Sequence, residues 1–565
     1  MHIPQIQTDL KHAIEEAIKK TSLKIPLAKE LSELPKIEIG IPKDYKHGDL
    51  TTNVAMRLAK NFSLNSVKLA GYLKEELEAL AKNKALKGVI EKIEVLPPGF
   101  INFRFSASYL YALLGDICEK DDTFGRTTLG RGIKVNMEFV SANPTGPLTV
   151  AHGRQAAVGD ALSRILDFSG YSVWREYFIN DVGTQIEILG KSIQARYLEL
   201  NGIECEFPAD GYQGEYIKGI AEELNKKYGK KFIEKKDSNL QYIAQFGART
   251  ILESIRGDLE RLGIHFNGWF SQQKISPDII RDVLKKLRSK GYVYDKDGAT
   301  WFKSTAFGDD KDRVVIKSDG AFTYLAPDIA YHLDKCKRKF NKLIDIWGPD
   351  HHGYIPRIKA AVEALGYDRE SISVLIVQLA TLFRNGVQLS MSTRKGEFVT
   401  LKEVVDEVGS DVTKFFFLMR KLDSHLDFDL EIAKKNSLDN PVYYIQYAHA
   451  RIASIFGFSA NIKDKLKAVK YESGLLMEPE ETRLLRMLSQ FPLIVESAAT
   501  GLEPYRVVEY LNELAKIFHS FYTKHRVVSE DDLPLTKARL ELVRGVKVVL
   551  ANGLSLLGVS LPERM

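Results

Sequence analysis

A lone histidine marks the point where a strand hands over to a helix in SANPTGPLTVAHGRQAAVGDAL (141–162). Asn143, Pro144, Gly146 and Pro147 suit neither a helix nor a strand interior and mark a turn. Beyond it, Val158, Leu162, Ile165 and Leu166 fall on one helical face. The free N–H groups and dipole of a helix start attract anions. His152 at that start is therefore placed to donate to a phosphate oxygen, and Gly153 to allow close approach. A helix cap with a surface histidine is the plainer reading of this stretch alone. Neither G-x-G-x-x-G nor G-x-x-x-x-G-K-[ST] is present, so two common phosphate loops are excluded.

Three further groups carry chemistry. VQLSMSTRKGEFVTL (387–401) puts Arg394 and Lys395 beside Gly396 on a polar loop between apolar runs. Two such cations can neutralise a polyphosphate during phosphoryl or nucleotidyl transfer, although any basic surface loop reads the same way. WGPDHHG (347–353) offers Asp350, His351 and His352. Adjacent histidines on an extended chain point to opposite sides, and no Cys or His stands at ligand spacing, so no metal site is expected. Glu138 and Asn143 flank the strand–turn junction, and Tyr324 and Asp328 stand four apart in TYLAPDIAYHL. Each acid taken alone reads equally well as an ordinary ion-paired carboxylate.

The elements that must position these residues follow from the chain's patterning. At 565 residues the chain exceeds one core and is expected to form three or four domains of about 150 residues. It is 44% hydrophobic and 27% charged, with mean hydropathy −0.18, the composition of an ordinary globular protein. The net charge of +6 permits an acidic partner such as nucleic acid without demanding one. Cys118, Cys205 and Cys336 lie far apart, which suits a reducing, cytoplasmic setting. The N-terminal segment has no signal-peptide core, and no apolar run approaches the ~18 residues of a membrane span.

Residues 1–115 read as a small α+β domain, with Pro97–Gly99 turning between two strand-like runs. Residues 116–440 alternate strands (IKVNMEFVS, LIDIW, ISVLIVQLA) with helices, the pattern of a doubly wound parallel sheet. A charged, mostly helical insertion is expected at about 203–300. Residues 441–565 read as all-helical. KKYGKKFIEKK (226–236) reads most simply as a solvated charged face.

The two loops together resemble the signature pair of class I aminoacyl-tRNA synthetases. TVAH (149–152) stands where that family writes HIGH, and SMSTR (390–394) where it writes KMSKS. Longer stretches resemble arginyl-tRNA synthetases from end to end: HGDLTTNVAMRLAK, PPGFINF, EFVSANPTGPLTVAHGRQAAVGD, WREYFINDVGTQI, WGPDHHGYIPRIKA, DNPVYYIQYAHARI and LGVSLPERM. The chain departs from the signatures at Thr149 and Ala151, and at Ser390 and Thr393. Arg394 matches a basic variant of the final position, and Arg384 or Lys395 is available to replace the missing first lysine.

The resemblance implies a Rossmann-type catalytic domain between an N-terminal tRNA-contacting domain and a helical anticodon-binding domain. It implies ATP-dependent ligation of L-arginine to its tRNA through arginyl-adenylate, with transfer to the terminal 2′-hydroxyl, Mg2+ accompanying the ATP, and activation requiring bound tRNA. His152, Arg394 and Lys395 would be catalytic. Thr149, His152, Gly153, His352, Ser390, Met391, Ser392 and Arg394 would contact ATP. Glu138, Asn143, Tyr324, Asp328 and His351 would contact arginine, His351 standing where the family commonly has glutamine.

The arginine pocket also bears on selectivity. A guanidinium is planar, permanently charged and rich in donors, so a pocket with two acids would reject lysine and citrulline without an editing domain. Tyr443, Tyr447 and Arg451 would meet anticodon bases, with Tyr444 and His449 nearby, and several of these tyrosines read equally well as core. Lys46, His47 and Asn53 would face the outer corner of the tRNA. The chain is expected to be monomeric. The competing reading is a tRNA-binding protein that has lost activation. It rests on the eroded signatures and is opposed by the retained Glu138, Asn143, Tyr324 and Asp328.

Overall fold

A computed structural model describes residues 3–25, 34–81, 86–234, 236–389, 398–435 and 437–565. At the N-terminal end, β1 (Ile39–Gly40), β2 (Leu50–Thr52), β3 (Ile90–Leu96) and β4 (Phe100–Phe105) form an antiparallel sheet in the order β1-β2-β4-β3. The turn between β3 and β4 pairs Leu96 with Phe100. Ile93, Ile101, Phe103 and Phe105 are buried at alternate positions, as a strand with one covered face requires. The Ser66–Ala81 helix lies against this sheet and is backed by the Ile3–Lys24 helix.

The middle of the chain builds β5 (Lys134–Glu138), β6 (Ser172–Ile179) and β7 (Gly268–Ser271). A separate antiparallel sheet of β8 (Val293–Lys296), β9 (Ala299–Phe302) and β10 (Arg313–Ile316) follows, and then β11 (Lys342–Trp347) and β12 (Ile372–Ile376). The central sheet is parallel throughout, in the order β12-β11-β5-β6-β7. The chain winds outward from β5 through β6 on one side, and reaches β11 and β12 on the other. The reversal of strand order therefore falls between β5 and β11, where open α/β sheets bind ligands beyond their carboxyl ends.

The Val150–Phe168 helix is buried along nearly its whole length, which explains its run of small residues. A Cβ on Gly159 would come 2.2 Å from the Phe139 ring, so only glycine lets the helix lie this close to the chain leaving β5. The segment read as a helical insertion is helical over Glu215–Tyr228 and Asp237–Arg261, then rejoins the central sheet as β7. That edge strand, GWFS, is half-buried throughout, so it lacks the apolar run that marks interior strands. The apolar stretch ISVLIVQLA likewise divides. Its first part is β12, and Val377–Leu379 turns toward β13 (Ala380–Arg384). With β14 (Val387–Gln388) and β15 (Leu426–Asp429), β13 makes a small sheet in the order β14-β13-β15.

The C-terminal part packs helices Pro441–Ser459, Pro479–Gly501, Tyr505–Lys524 and Leu533–Leu556 against one another. Asn440 caps the first of them, its Oδ1 accepting the N–H groups of Val442 and Tyr443, with Pro441 at the first helical position. Arg486 of this bundle forms an ion pair with the buried Asp49 of the N-terminal sheet domain. Among the described residues no helix is long and apolar enough to cross a membrane.

Candidate active site

A cavity of about 640 Å³ opens at the switch point, lined by the carboxyl ends of β5, β6 and β11 and by the starts of the following helices. It gathers Glu138, Asn143, His152, Tyr324, Asp328 and His351, six residues spread over more than 200 positions of sequence. The turn that begins the site is strained and pinned. Val140 and Ser141 have φ of 68° and 40°, a region that costs a non-glycine residue about 1–3 kcal/mol. The Tyr177 hydroxyl donates to Ala142 O at 2.9 Å, and the Tyr216 hydroxyl to Thr145 O at 2.7 Å.

One half of the cavity is acidic. Glu138 accepts from Lys335 Nζ at 2.5 Å, from the Tyr331 hydroxyl at 3.0 Å and from Ser141 Oγ at 3.0 Å. Lys335, completely buried, also donates to Asp345 at 2.7 Å. Burial works against the Lys335 ammonium, but the Asp345 and Glu138 carboxylates outweigh it and hold its pKa above the ordinary lysine value. Burial likewise opposes ionisation of Asp345, yet Lys335 and His332 hold that carboxyl at about 2. Glu176 accepts both Arg338 guanidinium nitrogens and the Tyr331 hydroxyl.

Asp328 stands apart from this paired set. Its carboxylate accepts the Tyr354 hydroxyl at 2.6 Å and forms no ion pair among the described residues. Desolvation in the cavity wall raises its pKa, with the Tyr354 hydrogen bond opposing. Counting side chains, Glu138, Glu176, Asp328 and Asp345 face only Lys335 and Arg338 as permanent cations. Two negative charges are thus left over: Glu138 and Asp345 share the one Lys335 cation, and Asp328 has none, so a cationic ligand beside Asp328 would relieve part of the deficit. Tyr324, 70% exposed, precedes the Leu325–Lys337 helix rather than lying on it, and still reaches the cavity. Asn143 donates to Gln185 Oε1 at 2.7 Å.

The lining supplied by the start of the Val150–Phe168 helix and by Val377 and Leu379 carries no acid. His152 Nδ1 accepts the Thr149 backbone N–H at 3.2 Å, which places the ring proton on Nε2, free to donate. Burial lowers the His152 pKa to about 4, so the imidazole is a neutral donor near pH 7. Ala151, Gln155, Val377 and Leu379 complete this side. The Gln155 amide, buried and without a hydrogen bond to another described residue, is an addition that motif reasoning missed. So are Tyr331, His332 and Lys335, whose types carry no signal until the Leu325–Lys337 helix brings them under β5, and Tyr354 at the end of the Pro349–Tyr354 turn.

Three residues expected at ATP do not line the cavity. The Thr149 hydroxyl lies 3.1 Å from His152 Nδ1 and is occupied in capping the helix. Gly153 faces away, since a Cβ there would meet Leu401 at 2.5 Å and Phe417 at 2.9 Å. Its missing side chain serves helix packing rather than phosphate approach. His352 is exposed in the short helix Pro349–Tyr354, whose turn carries its neighbour His351, and not His352, to the cavity. Ser390, Met391, Ser392, Arg394 and Lys395 lie outside the described residues. Arg384, at the end of β13, is paired with Glu407 at 2.6 Å.

A second cavity, of about 1100 Å³, lies in the C-terminal helices and is lined by Tyr447, Arg451, Phe458, Tyr522 and Arg526, among others. Tyr443 and Tyr447 stack at 6.0 Å and 10°, and His519 continues the stack at 5.8 Å. The Arg451 guanidinium lies over both Tyr447 and Tyr522, at 4.6 and 4.5 Å. Burial lowers the His519 pKa, with its hydrogen bond to Tyr444 O opposing. His449, by contrast, is core, bonded to Pro562 O at 3.0 Å. Among the described residues one trio has metal-ligand proximity, Glu478, Glu480 and His525. It sits near this second cavity, with Glu480 already paired to Lys524.

Comparison with known proteins adds an independent line. The catalytic-domain model of class I tRNA synthetases (R) matches residues 117–419, the arginyl-tRNA synthetase N-terminal domain matches 8–105, and the DALR anticodon-binding domain matches 445–565. The arginine–tRNA ligase of Citrifermentans bemidjiense is 47% identical over 537 residues, covering 94% of this chain and 96% of its own. That of Bacillus licheniformis is 44% identical over 567 residues, covering 99% and 100%. The solved arginyl-tRNA synthetase of Thermus thermophilus shares the fold, with a TM-score of 0.75 at 21% identity over 98% of this chain and 99% of that one. On the identity, the coverage and all three domain matches, this chain belongs to the arginyl-tRNA synthetases of class I.

Proposed function

We infer that the chain charges its tRNA with arginine in two steps. In the first, an arginine carboxylate oxygen attacks the α-phosphorus of ATP and the bond to pyrophosphate breaks, leaving arginyl-adenylate. In the second, the 2′-hydroxyl of the terminal adenosine attacks the arginyl carbonyl and AMP departs. The observation that carries the reading is the carboxylate of Asp328, facing the cavity without a cation beside the paired acids Glu138 and Asp345. Such a wall accepts a permanent planar cation and rejects neutral isosteres.

Glu138, Asn143, Tyr324, Asp328 and His351 hold arginine, and His152 donates its Nε2 proton to the ATP phosphates. Protein groups here orient and stabilise charge, with little covalent work to do. Arg394 and Lys395, with Ser390, Met391 and Ser392, belong to the loop assigned to the pyrophosphate. For magnesium arriving on the ATP phosphates, Asp350 offers a carboxylate at the cavity without an ion pair among the described residues. A single protein carboxylate fits an ion held mainly by phosphate and water.

The stacked Tyr443 and Tyr447, flanked by Arg451, make a platform for unstacked bases. Residues 1–115, 116–440 and 441–565 serve as the tRNA-contacting, catalytic and anticodon-binding domains, in a cytoplasmic monomer. A relic that only bound tRNA would have no reason to keep the acidic pocket. The test is arginine-dependent ATP–pyrophosphate exchange with and without arginine tRNA. Exchange confined to the arm with tRNA is expected. Tight tRNA binding with no exchange in either arm would replace this reading with the binding protein.

A further inference from the structure

Arg154 has no part in the chemistry above, yet it heads the fully buried large side chains of the described residues. Its guanidinium donates to four backbone carbonyls: Gln378 at 2.7 Å, Leu379 at 3.4 Å, Ser424 at 2.9 Å and Lys421 at 2.9 Å. It forms no ion pair among the described residues. Burial lowers its pKa to about 10, with the Asp423 carboxylate opposing, so it remains charged at neutral pH. Interior charges without a counter-ion are costly. An apolar residue would fill a core more cheaply, so the guanidinium supplies something an apolar residue cannot.

What it supplies is geometry. Gln378 and Leu379 form the link from β12 to β13, and Lys421 to Ser424 form the link from the Ser410–Leu418 helix to β15. The two links are joined to each other by the Gln378 N–H, which donates to Leu422 O at 2.8 Å. Arg154 is thus the rivet between both links and the helix whose first turn carries His152. Nη1 faces the Gln378, Leu379 and Ser424 carbonyls and Nη2 that of Lys421, while Nε is without a hydrogen bond among the described residues. Two terminal nitrogens of one planar group thus span both links, where an ammonium offers a single nitrogen. The same link presents Val377 and Leu379 to the cavity that Ala151, His152 and Gln155 also line. Leu379 is 48% exposed, an apolar side chain held open to the cavity. This wall carries no acid, unlike the half around Asp328, so it suits a nucleotide rather than a cation.

We propose that Arg154 is a positioning residue for ATP, fixing the Val377–Leu379 wall relative to His152 in the nucleotide half of the cavity. The proposal rests on the assignment of that half to ATP. The test compares Arg154→Lys and Arg154→Met with the unaltered chain in arginine- and tRNA-dependent ATP–pyrophosphate exchange, with melting temperatures measured alongside. The expected result is a rise of at least tenfold in KM for ATP in both variants, while KM for arginine stays within twofold. Arg154→Lys should remain folded and bind tRNA normally. Parallel changes in the two KM values, or no change in either, would overturn the proposal. So would failure of both variants to fold, which would make Arg154 a requirement of the fold alone. Absence of exchange by the unaltered chain would instead refute the activation chemistry itself, a distinguishable outcome.

Discussion

Replacing Asp328 by asparagine separates recognition from stability. The substitution is isosteric, and the asparagine Oδ1 can still accept the Tyr354 hydroxyl, now 2.6 Å from the carboxylate. What disappears is a negative charge that faces the cavity without a cation. A hydrogen bond to a charged group contributes about 1.5–3 kcal/mol. At about 1.4 kcal/mol per factor of ten, KM for arginine should rise roughly 10- to 150-fold, while KM for ATP should not move. Stability should go the other way. Desolvation raises the Asp328 pKa in the folded state. The folded protein therefore holds this proton more tightly than the unfolded chain, and the charged form disfavours folding at pH values above the raised pKa. Asparagine removes that penalty, so the variant should melt at or above the temperature of the unaltered protein at pH 7.5. The advantage should fade as the pH falls below the carboxylate range. The assays are exchange kinetics at varied arginine and thermal melts at two pH values. An unchanged KM for arginine, or a clear loss of melting temperature at neutral pH, would refute the view that Asp328 awaits a cation.

Other substitutions test the remaining parts. His152→Ala should lower kcat for exchange by about 10²–10³, the usual effect of removing one preorganised donor. Because burial holds His152 at about 4, a pH–rate profile from 5.5 to 8 should show no inflection that the alanine variant lacks. Lys335→Met would leave Glu138 and Asp345 buried without their cation and should cost about 3–5 kcal/mol in denaturant titrations. That deficit should shrink as the pH is lowered and the two acids protonate, and a pH-independent deficit would contradict the ion-pair account. Tyr447→Ala should weaken tRNA binding by about 1–3 kcal/mol, the contribution of one stacked base, with KM for arginine in exchange unaltered once tRNA is saturating. Gly153→Ala should destabilise by about 1–3 kcal/mol through overpacking against Leu401 and Phe417, measurable as a lowered denaturation midpoint.

Much of the architecture was legible in the order of residues, because the signals are local. Alternating apolar strands and helical periodicities require only neighbours within a few positions, and they announce the parallel sheet and the helical C-terminal part. The motifs carrying Glu138, Asn143, His152, Tyr324, Asp328 and His351 were readable for the same reason, and all six meet in one cavity. The edge strand β7 was not legible, since half-buried GWFS has no apolar run to announce it.

Nor do residue types reveal which groups are already spent. Thr149 and Gly153 sit in the motif, yet one caps a helix and the other makes room for Leu401 and Phe417. Lys335 and Arg154 look in sequence like surface cations, and both are completely buried. The sequence alone determined which chemistry is present and which elements carry it. Tertiary structure alone decided which acid lacks a cation, which histidine nitrogen is free and which arginine holds the wall. Charge balance, desolvation and hydrogen-bond partnership depend on distances between residues far apart in the chain, and only the packed fold sets those distances.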